Sequence, residues 1–516
     1  MKILITRLLV GLLAAATLGG CNWIQRITVD QNGMGGNSDS YGMSMSADAR
    51  YVAFTTTSSN ITPESDGSYR GLYLRDVLTG QTSLINTTTE GEFMSGFTSN
   101  PSVSGHGRYV AWERTIITLY FQWETGWIFE VFDDQIFLRD TLLNRTTQLS
   151  VAPDGSPGNG RSSNPIATDD EGYVYFNSGA SNLIDGVSSG PYRYNIQTGT
   201  LENVIGGGEF EAISADGRYA AYVDNNDSLP GDTNGFSDIF VRDTQTGITV
   251  LASLAYDGAQ ADAPSYNAAI SGDGTHIAFT SSASNLVPGG DSSNSDTYVR
   301  NLQTGQVYHA STKRDGTPGN LSSAYAPSLS HDGRYVAFVS DAWTLTPVPW
   351  NFFQDVYVKD LQTGDISIVS NAPNGTPGSS FSDYVEISSD GRYVGLRSYA
   401  SNIDNMDGNV NGADIFIASA EQVSVNSIAP SALPINATTT VTVNGRGFYS
   451  GEMLSIGSDL QISNIAVVDK DTITMDVTVS PDAIGGYKPV MVSRLGGTLT
   501  AGSGSSGFCN NCISAF

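Results

Sequence analysis

The stretch Asp232-Thr233-Asn234-Gly235-Phe236-Ser237-Asp238 sets oxygen-bearing side chains at alternate positions, with glycine where the chain must bend sharply. Hard cations such as calcium take that kind of oxygen set. Asp407-Gly408-Asn409-Val410-Asn411-Gly412-Ala413-Asp414 is richer in the same groups, and Asp291, Asn294 and Asp296 form a third version. The candidate metal ligands are therefore Asp232, Asn234, Asp238, Asp407, Asn409, Asn411 and Asp414. No cofactor is demanded by these residues, and Ca2+ is the one they would suit. Asx residues also cap turns without any metal, so turn capping stands beside calcium as a reading.

Two other stretches are aromatic where their counterparts are polar: TIITLYFQWETGWIFEVFDD (115–134) and DAWTLTPVPWNFFQD (341–355). Clustered exposed aromatics mark binding surfaces for protein, peptide or glycan. Trp123, Trp127, Phe129, Trp350, Phe352 and Phe353 are the candidate ligand-binding residues, with packing on a neighbouring element as the alternative. Catalysis has less to offer. Histidines stand at 106, 276, 309 and 331; His106 and His331 fall in turns of different repeats, which favours solvated turn residues over a shared zinc site. Gly186-Val187-Ser188-Ser189-Gly190 has the spacing of a nucleophile elbow, but that motif needs a strand–turn–helix, and here it lies in a Gly/Ser-rich loop. No catalytic residue is assigned. Acidic residues are spread widely enough that some carboxylates can converge, but the sequence does not say which.

The elements that must position these residues repeat. SADARYVAF (46–54), SGHGRYVAW (104–112), TDDEGYVYF (168–176), SADGRYAAY (214–222), SGDGTHIAF (271–279), SHDGRYVAF (330–338) and SSDGRYVGL (388–396) are seven copies of one turn and strand, most of them about 58 residues apart. A second signature follows six of them, as in GLYLRDVLTGQT (71–82) and DIFVRDTQTGIT (238–249); the seventh gives ADIFIASAEQ (413–422) and lacks the Thr-Gly turn. A third, DGTPGN (315–320) or NGTPGS (374–379), bridges to the next copy. Period-two apolar alternation means strands. Asp-Gly and Thr-Gly between such runs close hairpins, because those residues tolerate positive φ. Each copy thus reads as four antiparallel strands, a to d. One such sheet cannot bury both faces alone, whereas radial stacking does so and leaves only short edges.

These turns resemble the TolB-type, WD-like propeller repeat family over roughly Ile27 to Ser419. The resemblance implies an all-β, seven-bladed β-propeller in which b–c and d–a loops share one face. Because the seventh copy lacks strand d, and ITVDQNGMGGNSDSYGMSMSAD (27–48) parallels VSNAPNGTPGSSFSDYVEISSD (369–390), an N-terminal strand at Ile27–Asp30 is expected to close the last blade. The acidic loops resemble calcium loops of other propellers, although Pro230 stands where an acid is expected and the 407–414 loop is one residue short. After Ala420 the pattern stops, and 425–497 holds about seven short strands. Ser427-Ile428-Ala429-Pro430-Ser431 and Asn444-Gly445-Arg446-Gly447-Phe448 resemble the IPT/TIG immunoglobulin-like domain, departing from it at Asn436-Ala437, where Gly-Gly is usual. That resemblance implies a C-terminal Ig-like β-sandwich used as a spacer or interaction module.

MKILITRLLVGLLAAATLGGC begins with Lys2 and Arg7, continues apolar, and ends on small residues before Cys21. That order marks an export signal. Leu18-Gly19-Gly20-Cys21 resembles a bacterial lipobox, which implies cleavage before Cys21, lipidation of its sulfur and, with Asn22 following, sorting to the outer membrane. Cys509 and Cys512 are then the remaining cysteines; exported cysteines usually pair, so a small disulfide is expected, with a redox-active pair or half a zinc site as alternatives. The chain carries 52 acidic against 25 basic residues, a net charge of −27. Such a surface repels phosphate backbones, so nucleic acid is excluded as a partner.

The expected organisation is a lipoprotein signal peptide at 1–20, a seven-bladed propeller at 21–420, an IPT/TIG domain at 421–500 and a flexible Gly/Ser tail with Cys-x-x-Cys at 501–516. The expected function is a cell-envelope lipoprotein, lipid-anchored through Cys21 at the bacterial outer membrane and facing periplasm or exterior. It would act as a non-catalytic binding or scaffolding propeller for an envelope or surface protein or a glycan. Two rivals remain: a polysaccharide lyase or hydrolase using channel carboxylates, and a Tol-like envelope-complex component.

Overall fold

The computed structural model describes residues 9–11 and 24–493, apart from 66, 123–126, 205–208, 225–230, 291–294, 321–324, 350, 373–374, 405–411, 422–423, 431, 435, 447–452, 457–459, 470–471 and 482–489. Among the described residues every regular element is a strand. The chain divides into two compact units: Arg26–Ser370 with Gly378–Ala420, and Met1–Gln25 with Asn371–Pro377 and Glu421–Phe516.

Between Ile24 and Ser419 lie seven four-stranded antiparallel sheets. In sheet one, strand a is Ser40–Met45, b Tyr51–Thr56, c Gly71–Asp76 and d Gln81–Leu84. Sheets two to six follow the same order. Sheet seven takes a, b and c from Ser382–Ile387, Tyr393–Ser398 and Asp414–Ser419, and its outer strand from Ile24–Arg26. The outer strand thus precedes the expected Ile27–Asp30. Thr28 explains the shift: its hydroxyl bonds the buried Asp414 carboxylate at 2.6 Å, just as Ser311 and Ser370 bond Asp296 and Asp355 after strand d of sheets five and six. Asp30 instead caps a hairpin, accepting from the amides of Asn32 and Met34.

The repeated residues have repeated jobs. The final aromatic of strand b stacks on the aromatic of strand c: Phe54 on Tyr73, Trp112 on Phe137, Phe176 on Tyr192, Tyr222 on Phe240, Phe279 on Tyr298 and Phe338 on Tyr357, with centroids 5.6–6.2 Å apart. These cross-strand pairs are the core of each sheet. In the a–b turns the serine or threonine hydroxyl bonds the aspartate two residues on, as Ser214 does to Asp216 at 2.7 Å, and Asp216 accepts the Arg218 amide. The turn glycines sit at positive φ, 70° at Gly274, and a Cβ there would strike the Tyr219 ring of the preceding sheet. Glycine is therefore needed twice, for its backbone angle and for the closeness of neighbouring sheets.

The sheets are stitched together at those turns. Backbone bonds run from Ala47 to Gly105, Asp170 to Ala215, Ala215 to Gly272, Asp273 to His331, His331 to Ser389 and Ser389 back to Ala47, at 2.8–3.2 Å. The last link joins sheet seven to sheet one. Nearer the outer rim, a buried or half-buried base on strand c reaches the carbonyls of the connection arriving from the sheet before: Arg139 to Thr88, Arg300 to Leu254 and Ala255, Lys359 to Thr312 and Lys313. This is the arrangement of a β-propeller, with the strand edges occupied by neighbours.

In the other unit, Ser424–Ala429, Thr438–Arg446, Thr472–Val479 and Leu460–Asp469 form a four-stranded sheet, and Met453–Ile456 pairs with Val490–Ser493. Strand Thr472–Val479 alternates half-buried and buried, which gives that sheet one apolar face. Leu9–Gly11, inside the segment read as an export signal, pairs with Ala432–Pro434.

Candidate functional site

Strand a is the innermost strand of each sheet, and its far end opens on a central cavity of about 180 Å³ lined by residues of all seven sheets, Ser44, Ser102, Asp169, His331, Glu386 and Ser389 among them. The second residue of each a–b turn is Ala47, Gly105, Asp169, Ala215, Gly272, His331 or Ser389, and all but Gly105 line this end. Only three of these seven carry polar side chains.

One step inward, side chains of strand a accept backbone amides from the next sheet. Ser44 takes the Val103 amide at 3.1 Å, Ser102 that of Ala167 at 2.9 Å, and Ser328 that of Ile387 at 3.0 Å. At the junction of sheets seven and one the acceptor is a carboxylate: Glu386 takes the Met45 amide at 3.0 Å. Glu211 does the same for Ala268 between sheets four and five. Loss of water around Glu386 pushes its pKa up to about 8 despite the Met45 amide, and the nearby Asp169 adds to the rise. Burial also raises Asp169, opposed by the Ser389 hydroxyl at 3.2 Å and by His331 and His106. So the cavity gathers two carboxyls that hold protons more tightly than usual, from sheets three and seven. Neither was singled out in the sequence, yet both break the repeat: Glu386 replaces the serine of Ser44, Ser102 and Ser328, and Asp169 replaces a small turn residue. His106 and His331 both occupy exposed positions in the a–b turns of different sheets. His331 lines the cavity with Asp169, while His106 is exposed, 3.9 Å from Glu171. Among the described residues no group of three or more His, Cys, Asp or Glu is placed to hold a metal ion.

The opposite face carries the b–c loops. In sheet six, Phe352 is 75% exposed with φ at 67°, Phe353 is 37% exposed and Trp343 is 42% exposed. The loop is braced from below: the Asn351 side-chain amide donates to Asp355 at 3.0 Å and to the Gly378 carbonyl at 3.1 Å, and its oxygen accepts the Phe353 amide. Burial raises Asp355 to about 6, against the Ser370 and Asn351 hydrogen bonds. In sheet two the stretch expected as a loop is an extended hairpin, Tyr109–Gln122 against Trp127–Asp140, with Gln122 opposite Trp127 and Tyr120 opposite Phe129. Alternating β-branched and aromatic residues continue strands b and c outward. Trp123 and Trp350 lie outside the described residues.

The acidic loop of sheet four uses the same brace. Asn234 donates to Asp238 at 2.7 Å and to the Ala261 carbonyl at 3.1 Å, and accepts the Phe236 amide. Asp238 and Asp232 are buried, and Asp238 also accepts the Ser253 hydroxyl. Asp414 is bound by Thr28 and lies 3.3 Å from the buried Arg26. Asn234, Asp238 and Asp414 thus have hydrogen-bonding work in the fold. Asp407, Asn409 and Asn411, like Cys21, Cys509 and Cys512, lie outside the described residues.

No family model and no curated protein matches the chain. Among solved structures it is similar to a putative TolB from Agrobacterium tumefaciens (12% identity, 66% of this chain and 94% of that one, TM-score 0.35). It is also similar to the β-propeller domain of the Trilobed protease from Pyrococcus furiosus (11%, 74% and 94%, TM-score 0.44) and to the RRP9 WD40 repeats (9%, 80% and 99%, TM-score 0.42). At these values the likeness is one of fold, and nothing functional is taken from it.

Proposed function

We propose that the chain is an exported, lipid-anchored propeller of seven blades, followed by an immunoglobulin-like sandwich, that binds or scaffolds an envelope protein or glycan without catalysis. The ring of turn-to-turn hydrogen bonds through Ser389 and Ala47 supports seven blades. The carrying observation for binding is Phe352. A bulky aromatic residue held at positive φ and three quarters exposed is strained and accessible at once, and such strain collects at functional sites. Its neighbours Phe353 and Trp343 widen the apolar surface. The test is Phe352→Ser with Phe353→Ser. The folded variant should lose partners that the unchanged chain retains from envelope extracts or a glycan array; equal retention overturns the reading. For the anchor, Cys21→Ser should release the chain from membranes and remove the acyl mass.

The raised Glu386 and Asp169 carboxyls favour one rival, acid chemistry in the channel. A cavity of about 180 Å³ is smaller than the roughly 300–1,000 Å³ usual for ligand pockets, which weighs against a polysaccharide substrate. Release of reducing ends from envelope polysaccharide, abolished by Glu386→Gln, would reverse this order. Calcium at the Asp232–Asp238 and Asp407–Asp414 loops remains a separate proposal, tested by calorimetry against a chelator: no heat and no melting shift would remove it.

A further inference from the structure

Where strands a and c begin, at the loop face, sheets one and seven depart from the repeat together. The residue just before strand c is Ser189, Ser237, Ser295, Gln354 and Ala413 in sheets three to seven, but Arg70 in sheet one. Strand c itself opens on aspartate in sheets four to seven and on Gly71 in sheet one. In sheets five and six the residue before strand c holds the hydroxyl of a tyrosine near the start of strand a: Ser295 with Tyr266 at 2.6 Å, Gln354 with Tyr325 at 2.9 Å. Sheet one keeps the tyrosine, Tyr41, but the Arg70 guanidinium lies over its ring instead, 3.5 Å from the centroid. Among the described residues the Arg70 side chain has no hydrogen bond or ion pair, and its Nε is buried without a partner. Such an orphaned donor calls for a partner from outside the chain. A guanidinium stacked on a ring keeps its N–H edge free, and that edge fits a carboxylate through two parallel hydrogen bonds.

Sheet seven supplies the neighbouring groups. Arg397 donates to both Asp383 oxygens at 2.8 Å and to the Tyr41 carbonyl at 2.8 Å, so this pair is tied to the residue on which Arg70 stacks. The fifth residue of strand b is basic in sheet seven alone. Tyr384 is next to Asp383, its ring 5.2 Å from the Arg397 guanidinium, at φ 51° and 41% exposed. Asn100, Asn164 and Asn267 hold the same bulge of strand a at φ 47–55° in sheets two, three and five. Asparagine tolerates that angle and a bulky ring does not, so Tyr384 is strained as well as accessible. Loss of water raises the Tyr384 hydroxyl pKa, and Arg397 and Arg70 both oppose the rise, so the hydroxyl lies in the field of both guanidiniums.

We propose that this loop-face end of sheets seven and one binds a glycan through a uronic acid, with Arg70 taking the carboxylate, Tyr384 packing on the sugar ring and the Asp383–Arg397 pair meeting its hydroxyls. A sugar ring offers C–H groups on its face and hydroxyls around its edge, which matches a ring beside a fixed acceptor–donor pair. A peptide could bring the carboxylate but not that ring. One unpaired base in a chain of net charge −27 suits one carboxylate rather than a polyanion. The site is separate from the Phe352 loop, so either can fail without the other.

Calorimetry of the full chain with glucuronosyl and galacturonosyl disaccharides, their methyl esters and a glutamate-ended dipeptide tests the site. At least one acid should bind, and its ester should bind roughly tenfold more weakly. Arg70→Ser and Tyr384→Asn restore residues that other sheets carry, so the fold should survive. Arg70→Ser should weaken the acid to the level of the ester and erase their difference; Tyr384→Asn should weaken acid and ester alike. Phe352→Ser with Phe353→Ser should leave this binding unchanged. The proposal is overturned by no binding of either acid, by equal binding of acid and ester, or by an acid–ester difference that survives Arg70→Ser. Tighter binding of the dipeptide would make the ligand a peptide, and loss of sugar binding in the Phe352 variant would move the site to sheet six; either also overturns it.

Discussion

At the turn face, Ser214, Asp216, Gly217 and Arg218 recur almost unchanged as Ser330, Asp332, Gly333 and Arg334, each arginine pairing with the aspartate that ends strand c. At the loop face the connections differ in length and chemistry: an extended hairpin in sheet two, an aromatic loop in sheet six, an acidic one in sheet four. One face is constrained by its neighbours, since each turn must fit the ring of the preceding tyrosine or histidine and pass a hydrogen bond to the next. The other is constrained only by its stem. Asn234 and Asn351 brace loops of unlike content in the same way, so a loop can change its tip while the stem stays fixed. Departures from the repeat therefore carry more functional meaning at the loop face and on the channel wall than the repeated residues do.

The sharpest test of this contrast compares two glycines of sheet five, both near φ 70–77°. Gly274→Val forces a side chain into Tyr219 and should cost more than about 3 kcal/mol. Gly289→Ala, in the b–c loop with open space around it, should cost only about 1 kcal/mol. Similar losses in denaturant unfolding would erase the distinction between the faces. Next, Arg26→Ala strips the buried Asp414 of its cation and should destabilise by about 3 kcal/mol. Deletion of 22–30 should cost more; an unchanged melting temperature would mean that the N-terminal strand is dispensable.

Glu386→Gln addresses the channel wall. The Glu386 pKa is raised from 4.5 to about 8, so the folded state holds a proton that the unfolded chain has released between those values. Its contribution is greatest below about pH 4.5 and is lost as pH rises through 8. Glutamine still accepts the Met45 amide and carries no charge, so the variant should match the parent at pH 4 and exceed it at pH 9. The gain should be of the order of 1 kcal/mol, since the cavity admits water. A pH-independent difference would place Glu386 outside the low-polarity wall. The smallest stability effect belongs to Phe352→Ser with Phe353→Ser, within about 0.5 kcal/mol by thermal melting, although binding should be lost. A large loss of stability would show that these rings pack rather than bind.

Much of the fold was legible because its constraints are local and repeated. Asp216-Gly217 had to be a hairpin turn, and Tyr219, Ala221 and Val223 had to alternate. The strand at Ile24–Arg26 was harder to place, since its register depends on Thr28 meeting Asp414, 386 residues away. The extension of sheet two was hidden because its aromatic run reads equally as a loop insertion or as longer strands. Glu386 and Asp169 were hidden for a different reason. Each looks like a minor variation within its own repeat, and only the ring sets them beside one cavity.

The sequence by itself determined the strands, the turns and the repeat, because period-two alternation and glycine's backbone freedom act within a few residues. Tertiary structure decided which side chains meet. Sheets three and seven share an axis, and sheet seven is finished by residues 24–26, because radial packing brings together residues hundreds of positions apart in the chain.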